Sequence, residues 1–281
     1  MKNGDQNQIS AYAAKVITQN TENLQSCLEK VKRRKESEDI HDLRVASRRL
    51  RTALEIFRHF LPVKKYKIWE PSIASLTKAF GNARDLDVQL EFIRNFFQLN
   101  DETKNRPGGR RLKLRLEQRR GRLEDQLKDK LAEIEKNGTL VDILNELKDL
   151  SNAVNEKILP PSPIFALAFN VLNKRLDEFL FYEIYLPFPE QVKELHLMRI
   201  AAKRLRYALE LFAPLYPDQL EGTLEVMRSV QTSLGEIRDC DVWLIFLPEF
   251  LEKEKKRVIA YYGNARPFQR LFPGIQLVYD N

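Results

Sequence analysis

Apolar residues recur at the three- and four-residue spacing of an amphipathic helix through most of the chain. In the stretch 41–57, Leu43, Leu50, Ala53, Leu54 and Phe57 fall on one arc when residues advance about 100° each. His41, Arg44, Arg48 and Arg51 fall within a different arc of roughly 80°, centred about 140° away. One helix there separates an apolar stripe from a basic one. The same reading predicts helices near 8–34, 40–60, 66–99 with a break around Gly81, 110–136, 164–183, 191–213, 218–234 and 238–262. Punctuation comes from Pro62, Pro71, the RPGG turn at 106–109, the NG pair at 137–138, the PFP segment at 187–189, Pro214 and Pro217. The tail at 263–281 is too irregular to assign. No stretch alternates in the manner of strands, and the fold class is all-α.

The chain also repeats itself. HDLRVASRRLRTALEIF at 41–57 returns as HLMRIAAKRLRYALELF at 196–212, with ten of 17 positions identical. FGNARDLDVQL at 80–90 then matches LGEIRDCDVWL at 234–244, at a spacing that differs by one residue. A period near 155 residues is too long for a solenoid and implies two halves of several helices each. Consecutive prolines in LPPSP at 159–163 oppose helix continuation, which divides one domain of 1–281 into repeat one at about 8–159 and repeat two at about 164–262.

Composition narrows the partner. With 47 Lys and Arg against 40 Asp and Glu the net charge is +7, which favours an anion without identifying one. Cys27 and Cys240 are far apart and show no C-x-x-C spacing, so a disulfide framework is not expected. No apolar run approaches the ~18 residues of a membrane span, and the N-terminus lacks a signal core. A soluble protein of the reducing cytoplasm is expected, with no membrane partner.

What the charge does depends on where it lies. The second copy places His196, Arg199, Lys203 and Arg206 on one side and Met198, Leu205, Ala208, Leu209 and Phe212 on the other, with Arg49 and Arg204 at the flanks of their helices. Four cations on one helix face repel one another unless acids or a bound anion neutralise them, and Glu55 and Glu210 offset only part of the charge. Arginine offers phosphate a bidentate fork, lysine a point charge, and histidine a charge that appears as pH falls. A single such stripe is most simply a solvated face. Two at matched positions ask for a shared ligand, because core packing accounts for the repeated Leu and Phe but not for the repeated cations. A third row, Arg111, Arg115, Arg119 and Arg122, follows RPGG and borders the Leu112, Leu116, Leu123 and Leu127 stripe, which puts it at the rim of a bundle within reach of a shared groove and makes it a second rank of ligand-binding candidates. The pairs Asp85/Asp87 and Asp239/Asp241 are expected to cap or to pair with Arg84 and Arg238 rather than to hold a metal, since residues two apart share no helix face.

H-x-x-R-[VI]-x-x-[RK]-R-x-R-x-A-L-E-x-F and G-x-x-R-D-x-D-V, each present twice and in order, resemble the conserved histidine α-helical (CHAD) family from about residue 8 to about 262. That resemblance implies an internally duplicated pair of four-helix bundles with pseudo-twofold symmetry around a basic central groove or pore that binds inorganic polyphosphate. It implies no catalysis and no cofactor. By motif position the binding residues would be His41, Arg44, Arg48, Arg49 and Arg51, with His196, Arg199, Lys203, Arg204 and Arg206 as counterparts and Arg84 and Arg238 as further contributors. Polyphosphate granules are then a candidate location. The shorter segment after Gly235 leaves a reduced last helix in the second half.

Two other classes compete. A phosphoryl-transfer or polyphosphate-hydrolysing enzyme would need chemistry that no P-loop, G-x-G-x-x-G, H-E-x-x-H or G-x-S-x-G motif supplies here. Nucleic acid would use the same phosphate contacts, but the stripes interleave no aromatic platform, with Tyr207 the one unmatched exception, so weaker binding is expected.

Overall fold

A computed structural model of the chain describes residues 3–33, 37–100, 102–152 and 162–280. Among these no strand occurs, and the fold is all-α. The long helices are α1 (Asn3–Arg33), α2 (Ser37–Ile56), α3 (Val63–Leu99), α4 (Arg106–Lys136), α5 (Thr139–Asn152), α6 (Ser162–Leu180), α7 (Val192–Phe212), α8 (Glu221–Tyr262) and α9 (Phe272–Asp280), joined in places by short 3-10 turns. The proposed repeat boundary near Leu159 lies outside the described residues, and Ser162 opens α6.

Four expectations about the elements are corrected. No break occurs at Gly81, and α3 runs through both Pro71 and Gly81. Its apolar residues explain this: Trp69, Ile73, Leu76, Phe80 and Ala83 are all buried, and that packing outweighs the local cost of the two helix-weakening residues. The separate helices expected at 218–234 and 238–262 are the single helix α8, again continuous through a glycine, Gly235, and through Pro248. RPGG is the first turn of α4, where a proline needs no N–H partner. The tail is ordered as a 3-10 turn and α9, with Leu271, Ile275 and Val278 buried. The sequence reading also passed over α5, which begins immediately after Gly138 reverses the chain at φ +60°.

The chain divides into two compact units. Unit 1 comprises Met1–Gly81 and Lys128–Gly235, and unit 2 comprises Asn82–Leu127 and Glu236–Asn281. Each draws segments from both sequence repeats, and two of the dividing points are the repeated glycines Gly81 and Gly235.

In unit 1, α1 packs against α2, α5 and α6, while α7 packs against α6 and α2. Leu43, Leu50, Ala53 and Leu54 of α2, and Phe57 immediately after it, are fully buried, as the apolar stripe predicts. Met198, Leu205, Ala208, Leu209 and Phe212 of α7 are buried likewise. Phe57 meets Phe212 edge to face with ring centroids 6.2 Å apart. These two residues occupy equivalent positions of the repeat. α3 is tied to α5 by Asp142, which accepts hydrogen bonds from Trp69 Nε1 at 2.8 Å and Lys65 Nζ at 2.6 Å.

Unit 2 has its own core. Leu86, Leu90 and Ile93 of α3, Leu112 and Leu116 of α4, Trp243, Leu247, Phe250 and Val258 of α8, and the three apolar residues of the tail form one cluster. The N-terminus of α4 and α9 approach so closely that a Cβ on Gly108 or on Gly274 would overlap the opposing backbone. Here the glycines are required by packing rather than by a turn.

Candidate functional site

The basic stripes start from the same helix sequence that buries the core. Acidic residues in the first turn favour each helix start, Glu38 and Asp39 in α2 and Glu194 in α7. The apolar arcs then fix each helix rotationally, which leaves the basic arcs at the edge of the buried region. Burial extends further toward the basic arc than the large apolar residues alone suggest. Ala46 and Ser47 of α2 and their equivalents Ala201 and Ala202 of α7 are all buried.

The ten stripe residues all belong to unit 1, and four of the five equivalent pairs match in exposure. His41, Arg44 and Arg48 are half-buried, and so are His196, Arg199 and Lys203. Arg49 and Arg204 are exposed, while Arg51 is exposed and Arg206 half-buried. At the level of single atoms the match continues: Nδ1 of His41 and of His196, and Nε of Arg44 and of Arg199, are buried without a hydrogen bond inside the protein. Each of these four side chains engages other groups.

The charge is partly neutralised, by Glu210, which the sequence offered, and by partners it did not reveal. Arg49 Nε donates to Glu210 at 3.0 Å, joining α2 to α7, and Arg206 lies 3.3 Å from the same carboxylate. Arg51 pairs with Glu70 of α3 at 3.0 Å. Glu55, expected to offset its own stripe, instead receives Arg175 of α6 at 2.6 Å. Tyr207, the aromatic exception, is buried, and the Arg206 guanidinium sits 4.9 Å from its ring centre. Its ring is therefore not an open platform for a base.

Six further candidates lie in unit 2. Arg84 on α3 and Arg238 on α8 are half-buried, and Arg119 and Arg122 on α4 are exposed. Arg111 and Arg115 serve a carboxylate that sequence reasoning missed: Glu254 of α8, which is 0% exposed. Arg115 donates to it at 2.7 and 3.4 Å, Arg111 lies at 3.5 Å, and Arg257 completes the cluster. A lone Glu in a Lys- and Glu-rich helix end gives no sequence signal of such burial. The expectation that the aspartate pairs cap helices is corrected: Asp85 and Asp87 lie inside α3, Asp239 and Asp241 lie inside α8, and Asp87 pairs at 2.8 Å with Arg120 of α4. Among the described residues no group of three or more His, Cys, Asp or Glu comes together as a metal site. No described helix is long and apolar enough to cross a membrane.

The structure is thus that of an all-α protein carrying two matched basic helices in one compact unit. A family model for the CHAD domain matches residues 15–248, and the chain belongs to that family. Two solved structures share the fold. The CHAD domain from the plant Ricinus communis superposes with a TM-score of 0.68 at 20% identity, over 96% of this chain and 90% of that one. PptA from Streptomyces chartreusis superposes with a TM-score of 0.64 at 14% identity, over 96% of this chain and 92% of that one. No curated protein matches the sequence.

Proposed function

We propose that this protein binds inorganic polyphosphate, without altering it, along the paired basic faces of α2 and α7. The observation that carries the reading is the matched pair itself: the same cation pattern, with matching burial at four of the five equivalent positions, on two packed helices of one unit. A linear polyanion presents identical charges in a row, which suits two similar rows better than one isolated pocket would. Some CHAD family members bind polyphosphate, which supports the choice of ligand. The contact between equivalent residues Phe57 and Phe212 favours a pseudo-twofold arrangement of two four-helix bundles, with a basic groove between the repeated helices.

Half-buried arginines favour a binder over a catalyst. Their guanidiniums stay charged at any physiological pH and cannot shuttle protons, so they supply charge to a bound anion rather than acid or base chemistry. The occupied face of Tyr207 favours polyphosphate over nucleic acid, because single strands gain affinity from stacking that this surface does not offer. The cytoplasm and polyphosphate granules are where such a ligand would be met.

Incubation with long-chain polyphosphate and Mg²⁺, followed by gel analysis, tests the non-catalytic part: chain length stays constant, and shortening contradicts it. A competition test addresses ligand choice. Polyphosphate displaces bound RNA at far lower phosphate concentration than RNA displaces polyphosphate; equal displacement would mean a general polyanion surface.

A further inference from the structure

A second place in the molecule has the makings of a binding site, on residues the paired stripes do not use. Within unit 2 a cavity of about 310 Å³ opens between one face of α3 and one face of α4. The α3 side supplies Ile93, Arg94, Phe97 and Gln98, and the α4 side supplies Arg106, Gly109, Arg110 and Lys113. Both sets follow helical spacing, so each is a single face. On α4 that face points roughly opposite to Arg111, Arg115, Arg119 and Arg122, since these lie on average about 180° around the helix from it.

Its chemistry is divided. Buried Ile93 and half-buried Phe97 form an apolar floor, and Gly109 lets the Phe97 ring lie against the α4 backbone, where a Cβ would collide with it. Four cations and the amide of Gln98 stand around the rim. Arg94 uses its Nε on the carbonyl of Leu90 at 3.2 Å, which orients its terminal nitrogens. Lys113 lies 3.7 Å from Glu117, a carboxylate that tempers the rim. The first turn of α4 adds the positive end of its helix dipole.

We propose that this cavity binds a nucleoside di- or triphosphate. The volume sits at the lower end of small-ligand sites, which run from about 300 to 1,000 Å³. That accommodates a flat base and part of a sugar on the Ile93–Phe97 floor and leaves the phosphates outside, among the cations. Gln98 offers a donor and an acceptor to the edge of a base. A fatty acid would fit worse, because one carboxylate cannot use four cations and the floor is too short for an acyl chain.

The test is equilibrium binding of ATP and ADP to the full chain, with two comparison ligands and two variants. Inorganic tripolyphosphate has the charge without the base, and dodecyl phosphate has an apolar body without the base. Saturable binding of one ATP per chain is expected, and in the Arg44→Ala/Arg199→Ala background either comparison ligand displaces it only at a concentration at least tenfold above that of unlabelled ATP. Arg94→Ala/Arg110→Ala, both at exposed positions, weakens ATP binding at least tenfold with the helical circular dichroism intact. Arg44→Ala/Arg199→Ala leaves ATP binding within twofold, even if that variant loses polyphosphate. The proposal is overturned if ATP does not saturate, if tripolyphosphate or dodecyl phosphate competes as well as ATP, or if only the α2/α7 variant abolishes ATP binding.

Discussion

Replacing Glu254 by glutamine removes one negative charge from the interior of unit 2 and leaves the shape almost unchanged. The carboxylate is 0% exposed, while the Arg115, Arg111 and Arg257 side chains are 27%, 33% and 52% exposed. Hydrogen bonds to charged groups contribute about 1.5–3 kcal/mol each and neutral ones about 1 kcal/mol, so converting the bonds to Arg115 and Arg257 forfeits roughly 1–2 kcal/mol apiece. Water reaches the arginines and screens part of that loss. The expected cost of Glu254→Gln is therefore about 2–3 kcal/mol, toward the lower bound for breaking a buried ion pair. At about 2–4 °C per kcal/mol for a chain of this size, the melting temperature falls by roughly 5–10 °C. Urea and thermal denaturation followed at 222 nm would measure it. A change below about 0.5 kcal/mol, within the usual range of surface substitutions, would refute the claim that Glu254 organises the arginines of α4.

Glycines at two kinds of site should respond with opposite sign. Gly81→Ala and Gly235→Ala place a methyl in open space inside a helix and each stabilise by about 0.5–1 kcal/mol, whereas Gly108→Ala and Gly274→Ala lower the melting temperature by forcing α4 and α9 apart. Tyr12, whose hydroxyl is pushed up to about 12 by burial and then by Tyr216, keeps its proton while the unfolded chain loses one near 10. Its contribution to stability is thus complete below pH 10 and disappears as the pH rises to 12, a loss that Tyr12→Phe abolishes in alkaline unfolding. Hydrogen bonds from Lys65 and Trp69 hold the Asp142 carboxyl below the usual aspartate range. That contribution is present at neutral pH and is lost as pH falls through the folded value, so acid titration of Trp69 fluorescence shows wild type and Asp142→Asn converging at low pH and separated at pH 7.

The all-α class and the repeated basic faces were legible in the sequence because they depend on periodicity, and a period of 3.6 survives any detail of packing. The buried arcs of α2 and α7 appear at the residues the pattern names. What the sequence hid was decided by contacts between distant segments. Gly81 and Gly235 read as breaks, yet buried neighbours on either side carry the helix through them. Gly108 and Gly109 read as a turn because nothing local reveals that α9 and Phe97 will lie against them. Charge partners were the least legible part. Glu55 pairs with Arg175 across 120 residues and Arg115 with Glu254 across 139, and neither separation has a local signature.

The most direct test of polyphosphate binding is calorimetry with long-chain polyphosphate at physiological salt, comparing wild type with Arg44→Ala/Arg199→Ala in the presence and absence of RNA and DNA. Tight wild-type binding that resists nucleic acid and is lost in the folded double variant is the predicted result. Equal binding by the variant, or weak binding by the wild type, would contradict a ligand site on α2 and α7 and return both stripes to the role of solvated helix faces.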